Sequence, residues 1–117
     1  MSAANPIELR NAEPVYQEEV LWREFWVSLA SLLRSYTAAH GLNRKEQATV
    51  ELGEGTITVR AGLRWLRLDR QASEVIWTSE NGTTGTMNLT EDGKLKSVAG
   101  EEEMDMQAEA WARELMQ

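Results

Sequence analysis

Carboxylates and one histidine are the side chains of this chain best suited to metal binding or proton transfer. The carboxylates cluster in two runs, the first made of Glu13, Glu18, Glu19 and Glu24 and the second of Glu101, Glu102, Glu103 and Asp105. Both runs lie at or near predicted helix ends, where acidic residues are usually solvated, and the second would complement the dipole of a helix N-terminus. The pattern therefore favours solvated helix ends over a metal site.

The single histidine, His40, offers little more chemistry. It lies at the predicted C-terminus of a helix, where its cationic form is favoured, and this suits a cap better than a metal ligand. No motif supplies the nucleophile and the acid that a hydrolase triad around it would need. The chain contains no cysteine, which excludes disulfides, thiolate catalysis and metal sites built on its own thiolates. The sequence therefore predicts no enzyme activity and no tightly bound cofactor.

Tryptophan and arginine residues in the middle of the chain predict a surface for a protein partner. If Ala61-Gly62 closes a two-residue hairpin, alternation puts four apolar side chains on one face of a sheet: Ile57, Val59, Leu66 and Leu68. The opposite face then carries Thr56, Thr58, Arg60, Trp65 and Arg67, and the next strand turns Ile76 inward but Val75 and Trp77 outward. Because Trp and Arg are enriched at binding hot spots, the predicted partner-binding residues are Trp77, Trp65, Arg67 and Arg60. Alternatively, the two tryptophans cover neighbouring side chains and form cation–π contacts with arginines, without any partner.

Two amphipathic helices are predicted to flank this region. From Val15 onward, apolar residues recur at three- and four-residue spacing up to a helix end at His40-Gly41: Trp22, Phe25, Trp26, Leu29, Leu32, Leu33 and Tyr36. A second helix is predicted after Gly100, with the apolar stripe Met104, Ala108, Trp111 and Leu115. The first fourteen residues carry both prolines and little periodicity, so residues 1–14 are predicted to be a loose arm and 15–117 a single domain.

Five segments between the helices have the composition of short strands. They are Thr49–Leu52, Thr56–Arg60, Leu63–Asp69, Glu74–Thr78 and Thr84–Leu89. The breaks between them are short and contain turn residues such as Asn81-Gly82, so neighbouring strands should pair antiparallel. The predicted fold is an α+β two-layer sandwich, in which both helices cover one face of an antiparallel sheet of five to six strands.

Composition narrows the class of partner. With 19 acidic and 12 basic residues the chain carries a net charge of -7, which repels phosphate backbones and disfavours nucleic acid. No apolar run reaches the roughly 18 residues that a membrane span needs, and the first six residues lack the features of a signal peptide. The sequence therefore predicts a cytoplasmic protein that binds neither nucleic acid nor membrane.

The order helix, antiparallel meander, helix resembles the frataxin family, and four segments carry the resemblance. They are Thr56-Ile57-Thr58-Val59, then Leu68-Asp69-Arg70-Gln71, then Glu74-Val75-Ile76-Trp77-Thr78-Ser79, and finally Gly85-Thr86-Met87-Asn88-Leu89 followed by Asp92-Gly93-Lys94-Leu95. The third of these is similar to the family segment that holds an exposed tryptophan.

The resemblance implies an accessory protein of iron–sulfur cluster assembly that contacts the cysteine desulfurase and the scaffold and binds iron weakly. Trp77 stands at the position of the family's partner-contacting tryptophan. Frataxins hold iron on acidic residues at the end of the first helix and the edge of the first strand, where hard oxygen ligands suit iron. In this chain the only acids on or beside that strand are Glu46 and Glu51, so these are the metal ligands that the resemblance implies.

Two other functions remain open at this stage. A small acidic chaperone or adaptor would bind a protein on its exposed sheet face, as secretion chaperones of similar size and charge do. A small-ligand module would hold its ligand between the first helix and the sheet, although aromatic residues in such a place more often fill a core. A dimer that buries the outer sheet face would favour the chaperone, and a monomer with that face open would favour the frataxin-like accessory.

Overall fold

The computed structural model describes residues 4–42 and 47–117, with side chains described from Glu19 onward. A helix comes first, seven strands follow it, and a second helix closes the chain. The elements are α1 (Ala4–His40), β1 (Thr49–Leu52), β2 (Thr56–Ala61), β3 (Arg64–Gln71), β4 (Glu74–Ser79), β5 (Thr84–Leu89), β6 (Lys94–Ser97), β7 (Gly100–Glu103) and α2 (Met104–Leu115).

The strands form one antiparallel sheet in which each strand pairs with its neighbours in sequence, in the order β1 to β7. Short turns join consecutive strands, and short turns permit only antiparallel neighbours because a parallel pair needs a long crossover. The predicted α+β class and antiparallel sheet are confirmed. Within residues 4–42 and 47–117 the sheet has seven strands, slightly more than the five to six predicted.

Two strands, β6 and β7, lie beyond the five segments that the sequence indicated, and β7 consists of Gly100 and three glutamates. Acidic residues are depleted in strands and favoured at helix N-termini, which is why the pattern assigned these glutamates to the last helix. In the structure Glu101 pairs with Lys96 and Glu103 with Lys94, and α2 begins only at Met104. Opposite charges across the two strands favour this pairing.

Both helices lie on one face of the sheet and also pack against each other. The first helix contributes Trp22, Trp26, Leu29, Ala30 and Leu33 to the core, and the second contributes Met104, Ala108, Trp111 and Leu115. The inner face of the sheet contributes Ile57, Val59, Ala61, Leu66, Leu68, Val75, Leu89 and Leu95. At one end of the sheet, Arg70 anchors α1 by donating to a carboxylate oxygen of Glu19 at 3.1 Å.

The helix α1 begins earlier than its apolar periodicity predicts, at Ala4 and not near Val15. Its backbone stays helical through Pro6 and Pro14, the residues that suggested a loose arm. Proline fits the first turn of a helix, and an interior proline removes one main-chain hydrogen bond but can be absorbed as a kink. Residues 1–3 lie outside the described part, so the division into an arm and a domain stays a prediction.

The hairpin between β2 and β3 turns at Gly62-Leu63 and not at Ala61-Gly62. Ala61 pairs with Arg64, Val59 with Leu66 and Ile57 with Leu68. Gly62 has a φ of 64°, a left-handed conformation that glycine adopts without strain. The register differs from the predicted one by two residues, and since side chains alternate with a period of two, the predicted inner and outer faces of both strands are retained.

The predicted orientation of Trp77 is wrong. The turn between β3 and β4 contains only Ala72 and Ser73, because Gln71 already pairs with Glu74. Trp77 is therefore opposite Leu68 and shares the helix-covered face with Val75, whereas Ile76 is opposite Asp69 on the outer face. These direct pairs fix the faces of β4, because a shift of a single residue in the register would reverse every side chain of the strand.

Candidate functional site

The outer face of the sheet carries three of the four predicted partner-binding residues, Arg60, Arg67 and Trp65. Arg60 and Arg67 are both exposed there, on β2 and β3. The guanidinium of Arg67 binds the carboxylate of Asp69 at 3.1 Å, and that of Arg60 lies 3.9 Å from Glu51. Exposed ion pairs of this kind contribute about 0–1 kcal/mol, so both arginines can exchange their partners at little cost.

Trp65 lies opposite Arg60 near the beginning of β3, at the end of the sheet. Its side chain is half-buried. The main chain at this position is fixed by Glu80, which accepts a hydrogen bond from Trp65 N at 3.0 Å through its side chain and donates from its own amide to Trp65 O at 3.2 Å. Because Trp65 is paired directly with Arg60, its side chain lies on the outer face, at the end of the sheet.

Trp77 lies on the inner face and its indole covers Gly85 of the neighbouring strand. The two residues are directly paired. A Cβ atom added to Gly85 would lie 2.6 Å from three atoms of the indole, a distance shorter than carbon atoms tolerate. Glycine inside a strand often marks the close approach of another group, and here that group is an aromatic ring.

Trp77 and Trp65 both line a groove between α2 and the ends of β3, β4 and β5, which we call the α2–sheet groove. Its volume is about 250 Å³. Its apolar part is formed by Leu66, Trp77, Met87, Trp111 and Leu115, and its other lining residues are Arg64, Trp65, Ser79, Glu80, Asn81, Thr83, Gln107, Ala110 and Glu114. The groove thus unites the two predicted tryptophans but neither of the predicted arginines.

The turn between β4 and β5 gives the groove an ordered polar rim. Asn81 accepts hydrogen bonds through its side-chain oxygen from the Ser79 hydroxyl and, at 3.0 Å, from the amide of Thr83. This pattern is an Asx turn, and the next residue, Gly82, has a φ of 87°. The rim is therefore held by its own hydrogen bonds and does not need a ligand to order it.

Three charged residues line the groove: Glu80, Glu114 and Arg64. The last two turns of α2, from Gln107 to Leu115, also face it. The C-terminus of a helix carries a partial negative charge from its unpaired carbonyl groups. The electrostatic character of the groove is therefore weakly negative.

A larger cavity of about 380 Å³ lies between the end of α1 and β1, lined by residues such as Arg34, Thr37 and Val50. Two further lining residues, Leu42 and Gln47, flank residues 43–46, which are outside the described part of the chain. We assign no function to this cavity.

The two predicted metal ligands are not brought together as a site by the described structure. Glu51 is exposed on β1 beside Arg60, and Glu46 lies outside the described residues. Among the described residues there is no group of three or more His, Asp or Glu side chains that could hold a metal ion. His40 instead joins the two helices, with Nε2 at 2.7 Å from a carboxylate oxygen of Glu109.

Sequence reasoning assigned neither Met87 nor Trp111 to a binding groove, and it did not place Gly85 beneath the Trp77 indole. A glycine between two threonines in a strand was the available signal for Gly85, because glycine is depleted in strands except where another group comes close. The apolar stripe identified Trp111 only as a core residue. It is indeed 7% exposed, but it also forms part of the groove.

Comparison with known proteins identifies no relative. No family model, no curated protein and no solved structure matches this chain. The resemblance to frataxins therefore stays a prediction. Among the described helices, none is both long and apolar enough to cross a membrane.

Proposed function

We propose that this chain is a protein-binding module without catalytic activity, and that the α2–sheet groove with Trp65 at its rim is its partner-binding site. The observation that supports this most directly is the position of Trp77, which lines an open groove although it lies on the helix-covered face. Partly exposed tryptophans beside polar rims are typical of binding hot spots. A cytoplasmic location stays a prediction from the sequence.

Exposed apolar residues at the same end of the sheet extend this surface. Leu63, in the turn between β2 and β3, is 95% exposed, and Val98, between β6 and β7, is fully exposed. In a meander these two turns lie at the same end as the turn between β4 and β5, which carries the polar rim. Apolar residues that gain nothing from the core are consistent with contact to a partner.

A second candidate is the frataxin-like accessory of iron–sulfur cluster assembly. The order helix, antiparallel meander and helix, with both helices on one sheet face, supports it. The inward position of Trp77 argues against the family's mode of partner contact, and iron would have to be bound without a described carboxylate cluster. An anaerobic ferrous-iron titration followed by amide chemical shifts tests this candidate, and localised changes around Glu51 would support it.

A third candidate, the small acidic chaperone or adaptor, would bind its partner on a different surface from the groove. Its partner would cover the outer sheet face, which the two helices leave open and which carries Arg60, Arg67 and the half-buried Trp65 and Ile76. Threonines occupy much of the rest of this face: Thr56, Thr58, Thr78, Thr84 and Thr86. Few large apolar side chains are available there, which favours the groove as the main site.

Site-specific photocrosslinking in cells distinguishes these surfaces. Three variants would each carry a benzophenone amino acid, at Gln107 in the groove, at Thr86 on the outer face, or at Met106. Met106 is the control, because it is next to Gln107 on α2 but is 53% exposed and does not line the groove. We expect a discrete crosslinked protein from position 107 and none from position 106. Crosslinks from position 86 alone would reject the groove in favour of the outer face, and no discrete product from either would reject a protein-binding function.

A further inference from the structure

We propose that the α2–sheet groove binds a cationic side chain, an arginine or a lysine in an exposed segment of the protein partner. This inference rests on the proposed function and specifies the chemistry that the groove recognises. Three features support it: aromatic rings that make no cation–π contact within the chain, a lining with more acidic than basic residues, and a volume that fits one side chain.

The aromatic character of the groove comes from Trp77 and Trp111 on the helix-covered side of the sheet, and Trp65 lines its rim. Tryptophan has the strongest cation–π attraction of the aromatic side chains, because the face of the indole is electron-rich. In the part of the chain that the structure describes, the one contact of an aromatic ring with another ring or with a cation is between Trp22 and Phe25, at 5.9 Å between ring centroids. The indoles of the groove are therefore not occupied by the chain's own arginines, contrary to the alternative that the sequence left open.

The charges around the groove attract a cation. Glu80 and Glu114 outnumber Arg64 in the lining, and Glu80 uses one carboxylate oxygen for the amide of Trp65. The C-terminal turns of α2 add a partial negative charge at the same place. The whole chain carries a net charge of -7, which steers basic segments toward it and opposes the docking of a second copy.

The volume of the groove, about 250 Å³, is smaller than the roughly 300–1,000 Å³ of pockets that enclose cofactors or drug-sized ligands. It matches one long side chain whose main chain runs outside. Leu63, which is exposed in the turn before β3 and two residues from Trp65, offers apolar residues flanking the cation a place to pack.

The test uses a nine-residue peptide of alanine and serine with one central arginine, and a matched peptide in which neutral citrulline replaces that arginine. The reporters are the indole N–H signals of Trp65, Trp77 and Trp111 in the isotope-labelled full chain. We expect the arginine peptide to shift the signals of Trp77 and Trp111 at millimolar concentration and to bind about fivefold or more tightly than the citrulline peptide. Absence of indole shifts, or equal affinity of both peptides, would overturn the proposal.

Two variants of equal charge separate recognition in the groove from general attraction by an acidic protein. Glu114→Gln removes a carboxylate that lines the groove, whereas Glu101→Gln removes an exposed carboxylate on β7. We expect a loss of affinity for the arginine peptide of about threefold or more in the first variant and little change in the second. Equal losses would show that the peptide responds only to net charge and would overturn the proposal.

The peptide experiment tests the cationic ligand, and the crosslinking experiment tests the protein-binding function, so each proposal can be rejected separately. A crosslinked partner from position 107 together with no preference for arginine would retain the binding module and reject the cationic ligand. Absence of both would reject the module as well.

Discussion

Among single residues, the contact between Gly85 and Trp77 has the clearest consequence for the groove. Gly85→Ala would place a methyl group 2.6 Å from the indole, so the rigid ring has to move. We expect a loss of about 1–3 kcal/mol in the free energy of unfolding, as for other overpacked sites, together with displaced indole signals of Trp77. The measurements are urea denaturation and NMR spectra of the folded variant.

Gly55→Ala is the matched control for that variant. A Cβ atom at Gly55 would meet only the carbonyl oxygen of Arg70, at an ordinary distance of 3.6 Å. It should leave the indole signals of Trp77 unchanged. If Gly85→Ala proved as mild as Gly55→Ala in both measurements, the position of Trp77 over Gly85 would be wrong.

A second residue-scale prediction concerns the turn between β5 and β6. The hydroxyl of Thr90 donates a hydrogen bond to Asp92, and this bond, aided by the nearby Lys94, lowers the pKa of the Asp92 carboxyl below its ordinary value of 3.8. A carboxyl whose pKa is lower in the folded state stabilises the fold above the ordinary pKa. That contribution is lost as the pH falls through the lowered pKa of the folded protein.

The change Thr90→Val tests this account of Asp92. It removes the hydroxyl and should raise the pKa of Asp92 toward 3.8, as measured from the carboxyl carbon signal during an acid titration. Thr90→Ser keeps the hydroxyl and should keep the lowered pKa. A pKa that is the same in both variants would assign the shift to another group.

At the scale of the elements, α1 is held to the sheet by its apolar stripe. Leu29 is 1% exposed in the middle of this stripe, so Leu29→Ala should cost about 2–5 kcal/mol of unfolding free energy. Val27 lies on the same helix but is 47% exposed, and Val27→Ala should change stability by no more than about 0.5 kcal/mol. Thermal and urea denaturation of both variants check this, and equal effects would contradict the packing of α1.

The elements also show which parts of this fold the sequence could reveal. The stripe from Trp22 to Leu33 and the alternation of Ile57 and Val59 depend on local periodicity. Both predict the inward faces correctly, with Phe25 and Leu32 of the stripe only partly buried. The face of Trp77 depends on the length of one turn, Ala72-Ser73, and turn length is not fixed by the pattern of the strands that it joins. The pairing of β7 is favoured by Lys94 and Lys96, which lie opposite its glutamates, and this is a tertiary effect without a local signal.

The candidate site was less predictable than the fold for the same reason. Trp65 and Trp77 were identified by residue type, since tryptophan is enriched at binding surfaces. Their meeting with Trp111 requires α2 to cross the ends of β3 to β5, and this depends on where a helix packs and not on any motif. The groove therefore became visible only in three dimensions.

For the whole molecule, we expect a monomer. The outer sheet face has few large apolar side chains, and the net charge of -7 makes copies of the chain repel each other. Charged groups at both sheet edges discourage pairing of strands between copies. The edge strand β7 carries the exposed glutamates Glu101 to Glu103, and Arg34 of α1 donates to the carbonyl of Val50 on the edge strand β1 at 3.4 Å.

Sedimentation velocity over a range of protein concentrations, at low and at high salt, measures this property. A monomer under all conditions is the expected result and leaves the groove and the outer face free for a partner. If a concentration-dependent dimer forms, two variants would locate its interface. Thr86→Lys adds a charge in the middle of the outer face, and Gln107→Lys adds one in the groove. Dissociation by the first variant alone would favour the dimeric chaperone over the binding module, because the outer face would then be the one that the protein buries.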